Sequence, residues 1–184
     1  FFSVSSCLLT GVQAWLGALV VKSELEYSAI TVHMVVAILI LTFLMAAYLT
    51  SGDNVYPKPL NIVQRKYLFA PSVLLLIILV VQMVLGVQVR EEIDEILKNT
   101  SDLPREFWLV KAEIPHIIHR SFSWIVVACN AIMVYFSFKT SIPKTYRNKI
   151  ITISVLILVQ IALGVILQEG HMPAAFQTLH LLMF

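Results

Sequence analysis

The chain has 184 residues, of which 59% are hydrophobic and only 13% are charged. A soluble domain carries about 25% charged residues, so this balance excludes an ordinary water-soluble globule and indicates a polytopic membrane protein. The formal net charge is +2, and the basic residues fall in two loops rather than one patch, so there is no surface for nucleic acid.

A membrane-spanning helix needs roughly 20 apolar residues. Residues 4–21 form the first such run, and a short polar turn at 22–28 follows. Residues 29–49 form the second, with His33 about one turn inside it. Residues 51–69 read as a loop broken by Gly52, Pro57 and Pro59, and residues 70–89 as the third span with Pro71 in its first turn. A long polar stretch covers 90–115. Within it, residues 91–97 predict a short surface helix with Ile93, Ile96 and Leu97 on one face, and Phe107 and Trp108 are placed to anchor it. Such an apolar stripe predicts a cover rather than a free tail. Residues 117–138 form the fourth span, 139–149 a short basic loop and 150–167 the fifth span. A sixth run begins at Ala174. Its eleven residues are too few to cross a bilayer at 1.5 Å each, so the sequence is expected to be cut off there.

Lys and Arg bias sets the orientation. Loop 51–69 carries Lys58, Arg65 and Lys66 against Asp53, and loop 139–149 carries Lys139, Lys144, Arg147 and Lys149 with no acid. Both are expected on the cytoplasmic side. Loop 90–115 has Arg90, Lys98, Arg105 and Lys111 against seven acids and is expected outside. His33, His119 and His180 then lie at similar depth near the outer face. Cys7 and Cys129 both fall in apolar runs and read as small buried hydrophobes, with neither a disulfide nor a two-cysteine metal site between them. Phe1 begins almost inside an apolar run with no basic region before it, so no cleavable signal peptide is evident.

Three spans share one pattern. Val12-Gln13-Ala14-Trp15-Leu16-Gly17, Val81-Gln82-Met83-Val84-Leu85-Gly86 and Val159-Gln160-Ile161-Ala162-Leu163-Gly164 all read V-Q-x-x-L-G. Gly17 precedes His33 by 16 residues, and Gly164 precedes His180 by 16. The middle copy is followed instead by the long loop and His119-Arg120. A duplicated membrane protein follows from three copies in equivalent positions. The glutamines are expected to hydrogen-bond between helices, and the glycines to permit close helix packing.

The histidines admit several roles: satisfied packing residues, proton relays, zinc ligands or haem ligands. No Cys, Asp or Glu lies beside them in the apolar runs, which disfavours zinc. Bis-histidine haem b fits better, with neutral imidazoles from His119 and His180 on facing helices. Arg120 is placed to bind a haem propionate through its guanidinium. His116, three residues before His119, competes as a ligand from nearly the same face, and His171 lies in the outer turn.

These residues resemble a known family. The V-Q-x-x-L-G repeats, Gly17-Ala18-Leu19-Val20-Val21-Lys22 leading to Thr31-Val32-His33-Met34, the His119-Arg120 pair and Leu179-His180-Leu181 are similar to haem A synthase over essentially the whole chain. The resemblance implies an all-α polytopic bundle of eight helices in two similar four-helix halves. Six helices would be visible here, the third to the eighth, with the last incomplete. Residues 1–69 would hold the second hairpin of the N-terminal, substrate-haem half and a cytoplasmic linker, and residues 70–184 the C-terminal, cofactor half. The implied reaction oxidises a methyl group of haem O to the formyl group of haem A for cytochrome oxidase. Haem b would be ligated by His119 and His180, and His33 would be one ligand to the substrate haem. Its partner histidine and the catalytic glutamate belong to the second family helix, which is absent here, as are the paired outer-loop cysteines of some members. Glu113 precedes His116 by three residues, but the catalytic role does not carry over to it. The implied partners are the lipid bilayer, haem O and an electron-transfer partner such as haem O synthase or oxidase assembly factors, and a homo-oligomer is left open. The implied location is a bacterial cytoplasmic membrane. The competing readings are a non-catalytic di-haem b-type cytochrome or respiratory membrane subunit, and a proton-coupled transporter.

Overall fold

The computed structural model describes residues 1–23, 26–51, 60–100 and 102–183, with the side chain of Tyr27 left aside. Among them there is no strand, and 88% of these residues are helical. Seven α-helices follow in order: α1 (Phe2–Lys22), α2 (Tyr27–Thr50), α3 (Ile62–Asn99), α4 (Trp108–Lys111), α5 (Glu113–Lys139), α6 (Lys144–Glu169) and α7 (Ala174–Leu182), with a 3₁₀ turn at Arg105–Phe107 before α4. Five of these, α1, α2, α3, α5 and α6, are long and apolar enough to cross a membrane. Helices are the form that lets a spanning segment satisfy its own backbone where lipid offers no partners. The chain is an integral membrane protein of the helical-bundle class.

It divides into two compact units, Phe1–Tyr56 and Pro57–Phe184. The first is the hairpin of α1 against α2. Leu16 and Ala29 are buried there, while Val4, Leu8, Trp15, Leu41 and Leu44 face outward, as expected of side chains solvated by lipid. The hydroxyls of Ser6 and Thr10 return to the carbonyls of Phe2 and Ser6, which hides two polar groups inside an apolar helix. Cys7 is exposed, contrary to the sequence expectation. Only Cys129 is a buried small hydrophobe, and both thiols are free.

In the second unit α3 packs along α5, α5 against α6, and α6 against α7. Leu68, Leu75, Val126, Met133, Ile150 and Ile157 form its main core. Tyr67 stacks on Phe136 with ring centroids 5.0 Å apart. Two polar contacts fix the register. The Ser154 hydroxyl donates to Asn130 Oδ1 at 3.2 Å, and Gln64 Nε2 donates to the carbonyls of Thr140 and Ser141 at 3.2 and 3.3 Å. Ser141 has φ 48°, so the amide of Gln64 braces a turn in the left-handed region.

The structure corrects three boundaries. α3 starts at Ile62 rather than near 70, because Asn61 and Gln64 form a reciprocal capping box: Asn61 Oδ1 accepts from Gln64 N, and Gln64 Oε1 accepts from Asn61 N. Pro71 therefore lies inside α3 rather than in its first turn. The helix also runs unbroken past Val89 to Asn99, since nothing between Arg90 and Asn99 punctuates it. Arg90 Nε meets Asp94 Oδ2 at 2.8 Å one turn on. The expected basic loop 139–149 is reduced to a turn, with α6 already begun at Lys144.

The expected stripe of Ile93, Ile96 and Leu97 is present and has a partner. With Val89 it packs against Trp108, Leu109, Ala112, Leu167, Met172 and Phe176, closing the histidine-bearing end of this unit. Arg105 secures the cover: its Nη1 donates to the Met172 carbonyl at 3.0 Å, and its guanidinium lies over the Trp108 ring. The turn it clasps is strained, with φ 56° at His171 and 58° at Met172. Gln177 Nε2 donates to the same carbonyl at 2.7 Å and so ties the start of α7 to this turn.

Candidate functional site

The histidines stand on α2, α5 and α7, each facing the helix that carries a V-Q-x-x-L-G copy. In each copy Gln and Gly are four residues apart, on one helix face. The glycine opens a notch, and an imidazole fills it. A Cβ built on Gly17 would lie 3.3 Å from His33 Cε1, one on Gly86 3.1 Å from His119 Cε1, and one on Gly164 3.5 Å from His180 Cε1. The glutamine engages the same histidine. Gln13 Nε2 meets His33 Nε2 at 3.0 Å. Gln82 Nε2 donates to the His119 carbonyl at 3.1 Å and lies 3.5 Å from its Nε2. Gln160 Nε2 donates to the His180 carbonyl at 2.9 Å.

The repeat is thus a histidine-docking unit, present three times. The glutamines bond between helices as the sequence indicates. The glycines differ from expectation: their notch receives an imidazole ring. The signal was present in the sequence as two equal Gly-to-His separations.

Each docked ring keeps one orphan. The Nδ1 atoms of His33, His119 and His180 are buried with no hydrogen-bond partner among the described residues, as are the three glutamine Oε1 atoms. A buried polar atom without a partner costs about 1–3 kcal/mol. The same orphan recurring in three equivalent places marks a constructed arrangement rather than an accident of packing.

Within the second unit, His119 and His180 are near enough for a charge on one to act on the other. They stand on α5 and α7, between which the described residues form no extensive packing. His116 lies on the same side, close to both His119 and Arg120. Arg120 itself is exposed at this end of α5, and His171 is exposed in the strained turn. His33 belongs to the first unit. Among the described residues no three His, Cys, Asp or Glu side chains converge. The candidate donors are therefore the docked imidazoles, two of them in the second unit and one in the first.

Fold and site together define a duplicated helical membrane protein whose repeated element presents an imidazole near one end of a bundle. A family model described as cytochrome oxidase assembly protein matches residues 3–184, and the chain belongs to that family, COX15-CtaA, the haem A synthase family. Neither the curated proteins nor the solved structures yielded a match.

Proposed function

We propose that the chain acts as a haem A synthase, oxidising a methyl group of haem O to a formyl group. One observation carries this reading: the docking unit occurs three times, with two of its imidazoles in one compact unit and the third in the other. Two imidazoles in one unit suit a resident haem, and the one in the other suits a separate substrate haem.

The residues present fit a haem. The donors are imidazoles with no carboxylate or thiolate among them. The helices bearing His119 and His180 share no extensive packing among the described residues, and Arg120 stands exposed at the same end of α5. His119 and His180 would hold haem b, which when bound supplies one-electron transfer. Arg120 is suited to a propionate because a guanidinium offers two parallel donors. His33 would supply one imidazole to the substrate haem. The family's second imidazole and its glutamate have no counterpart among these 184 residues. Residues 1–69 would then belong to the substrate half, and 70–184 to the cofactor half. With water as the oxygen source, conversion of the methyl to a formyl group releases four electrons and four protons, so an electron acceptor is required, with haem O synthase or an oxidase assembly factor as candidate neighbours.

The test is product analysis. Full-length protein, expressed in cells that make haem O but no haem A, should yield extractable haem A. Normal protein levels with haem O alone would favour the b-type cytochrome reading. The bias of basic residues at 58–66 and 139–149 supports a histidine end on the outer side of the membrane, taken in this reading to be a bacterial cytoplasmic membrane. Single cysteines test this placement at two exposed positions. One at Asn99 should be labelled from outside only and one at Asn148 from the cytoplasmic side only; the reverse pattern would invert the orientation.

A further inference from the structure

The three docking units are alike in sequence but differ in what the glutamine grips. Gln160 bonds only the backbone of His180, and among the described residues no hydrogen bond engages His180 Nε2. Gln82 holds the His119 backbone at 3.1 Å and only grazes the ring at 3.5 Å. Gln13 bonds the His33 ring itself at 3.0 Å, and no bond to the His33 backbone accompanies it. An amide N–H facing Nε2 makes that nitrogen the acceptor and occupies the lone pair a metal would use. Were the amide turned about, its oxygen would accept from Nε2–H, and the nitrogen would be engaged all the same. His33 Nδ1 offers no alternative, being buried among the described residues.

We infer that Gln13 is an exchangeable cap on His33, whereas Gln82 and Gln160 are fixed anchors for the helices bearing His119 and His180. This rests on the reading of His33 as a turnover-site ligand and adds a positioning residue to it. A ligand that must enter and leave suits a ring whose open state is quenched by a weak bond. A resident ligand suits rings held from behind through the backbone. A single neutral hydrogen bond has a small net worth, so the cap should lower His33 availability by up to about tenfold and no more.

The experiment uses full-length protein with Gln13→Met, which matches the length of the side chain but lacks the amide. Haem-depleted protein is treated with diethyl pyrocarbonate, a carbonyl of which is attacked by a free imidazole nitrogen to give the ethoxycarbonyl adduct with loss of ethanol and carbon dioxide, and His33 modification is followed by peptide mass spectrometry. The expected result is His33 labelling faster than wild type by up to about tenfold, with His180 labelling unchanged. Gln160→Met, which removes a backbone anchor and no bond to the ring, should lower the low-spin haem signal by loosening α7. Unchanged or slower His33 labelling in Gln13→Met would overturn the cap. Should Gln13→Met fail to accumulate, Gln13→Ala gives the same reading in a helix-favouring residue. The labelling needs no haem, so it reports on the cap even if the haem assignment is wrong. Loss of the haem reading would appear separately, as absence of a low-spin signal in wild-type protein.

Discussion

Gly86→Leu should abolish the low-spin haem signal while leaving the protein in the membrane, and alanine at the three glycines should rank in a definite order. A methyl at Gly86 would sit 3.1 Å from His119 Cε1, so the ring has to shift by a few tenths of an ångström. At Gly17 the gap is 3.3 Å, which is also tight, and at Gly164 it is 3.5 Å, an ordinary contact. Against each clash stands the helix preference of Ala over Gly, worth roughly 1 kcal/mol. For Gly164→Ala the preference should win, giving equal or higher thermal stability with the haem signal retained. For Gly86→Ala the displaced ring should lower haem occupancy even where the helix is no less stable. Leucine at 86 overfills the notch, at a typical cost of about 1–3 kcal/mol for added bulk in a packed site. Thermal unfolding and Soret absorbance of the variants separate the two effects. Gly164→Ala harming the haem signal more than Gly86→Ala would refute the notch as the seat of the ring.

Much of this was readable from the sequence, for physical reasons. Hydropathy fixes which segments cross the membrane, because lipid tolerates little else, and the five long runs are all helices. The register of the docking units was visible in the two equal Gly-to-His separations. What the sequence concealed was the partner of each side chain. A glycine near a helix end is compatible with a neighbouring backbone, a flat ligand or a ring, and only the fold shows that Gly17, Gly86 and Gly164 all receive imidazoles. The ends of α3 were misjudged for a different reason. Polarity at residues 90–99 signals departure from lipid, but Glu, Asp and Lys are compatible with a helix that continues into water. The Asn61–Gln64 box was a legible start signal, obscured by the prolines just before it. The strained turn at His171 and Met172 was not legible in the sequence: histidine enters the left-handed region more often than most side chains, but nothing marks methionine for it.

The central claim is that His119 and His180 act as a pair while His33 serves a separate site. His119 and His180 lie in a single compact unit, docked on α3 and α6, whereas His33 is docked on α1 in the other. Electron paramagnetic resonance and absorption spectra of purified full-length protein, wild type and single alanine variants, test this most directly. Wild type should show a six-coordinate low-spin haem b with two imidazole ligands. His119→Ala and His180→Ala should each remove that signal or convert it to high spin, since either loss leaves the iron a single imidazole. His33→Ala should leave the signal intact while lowering haem O occupancy and haem A formation. A low-spin signal that survives His180→Ala but disappears with His33→Ala would contradict the account, because the paired imidazoles of the second unit would then not be the ones that hold the haem.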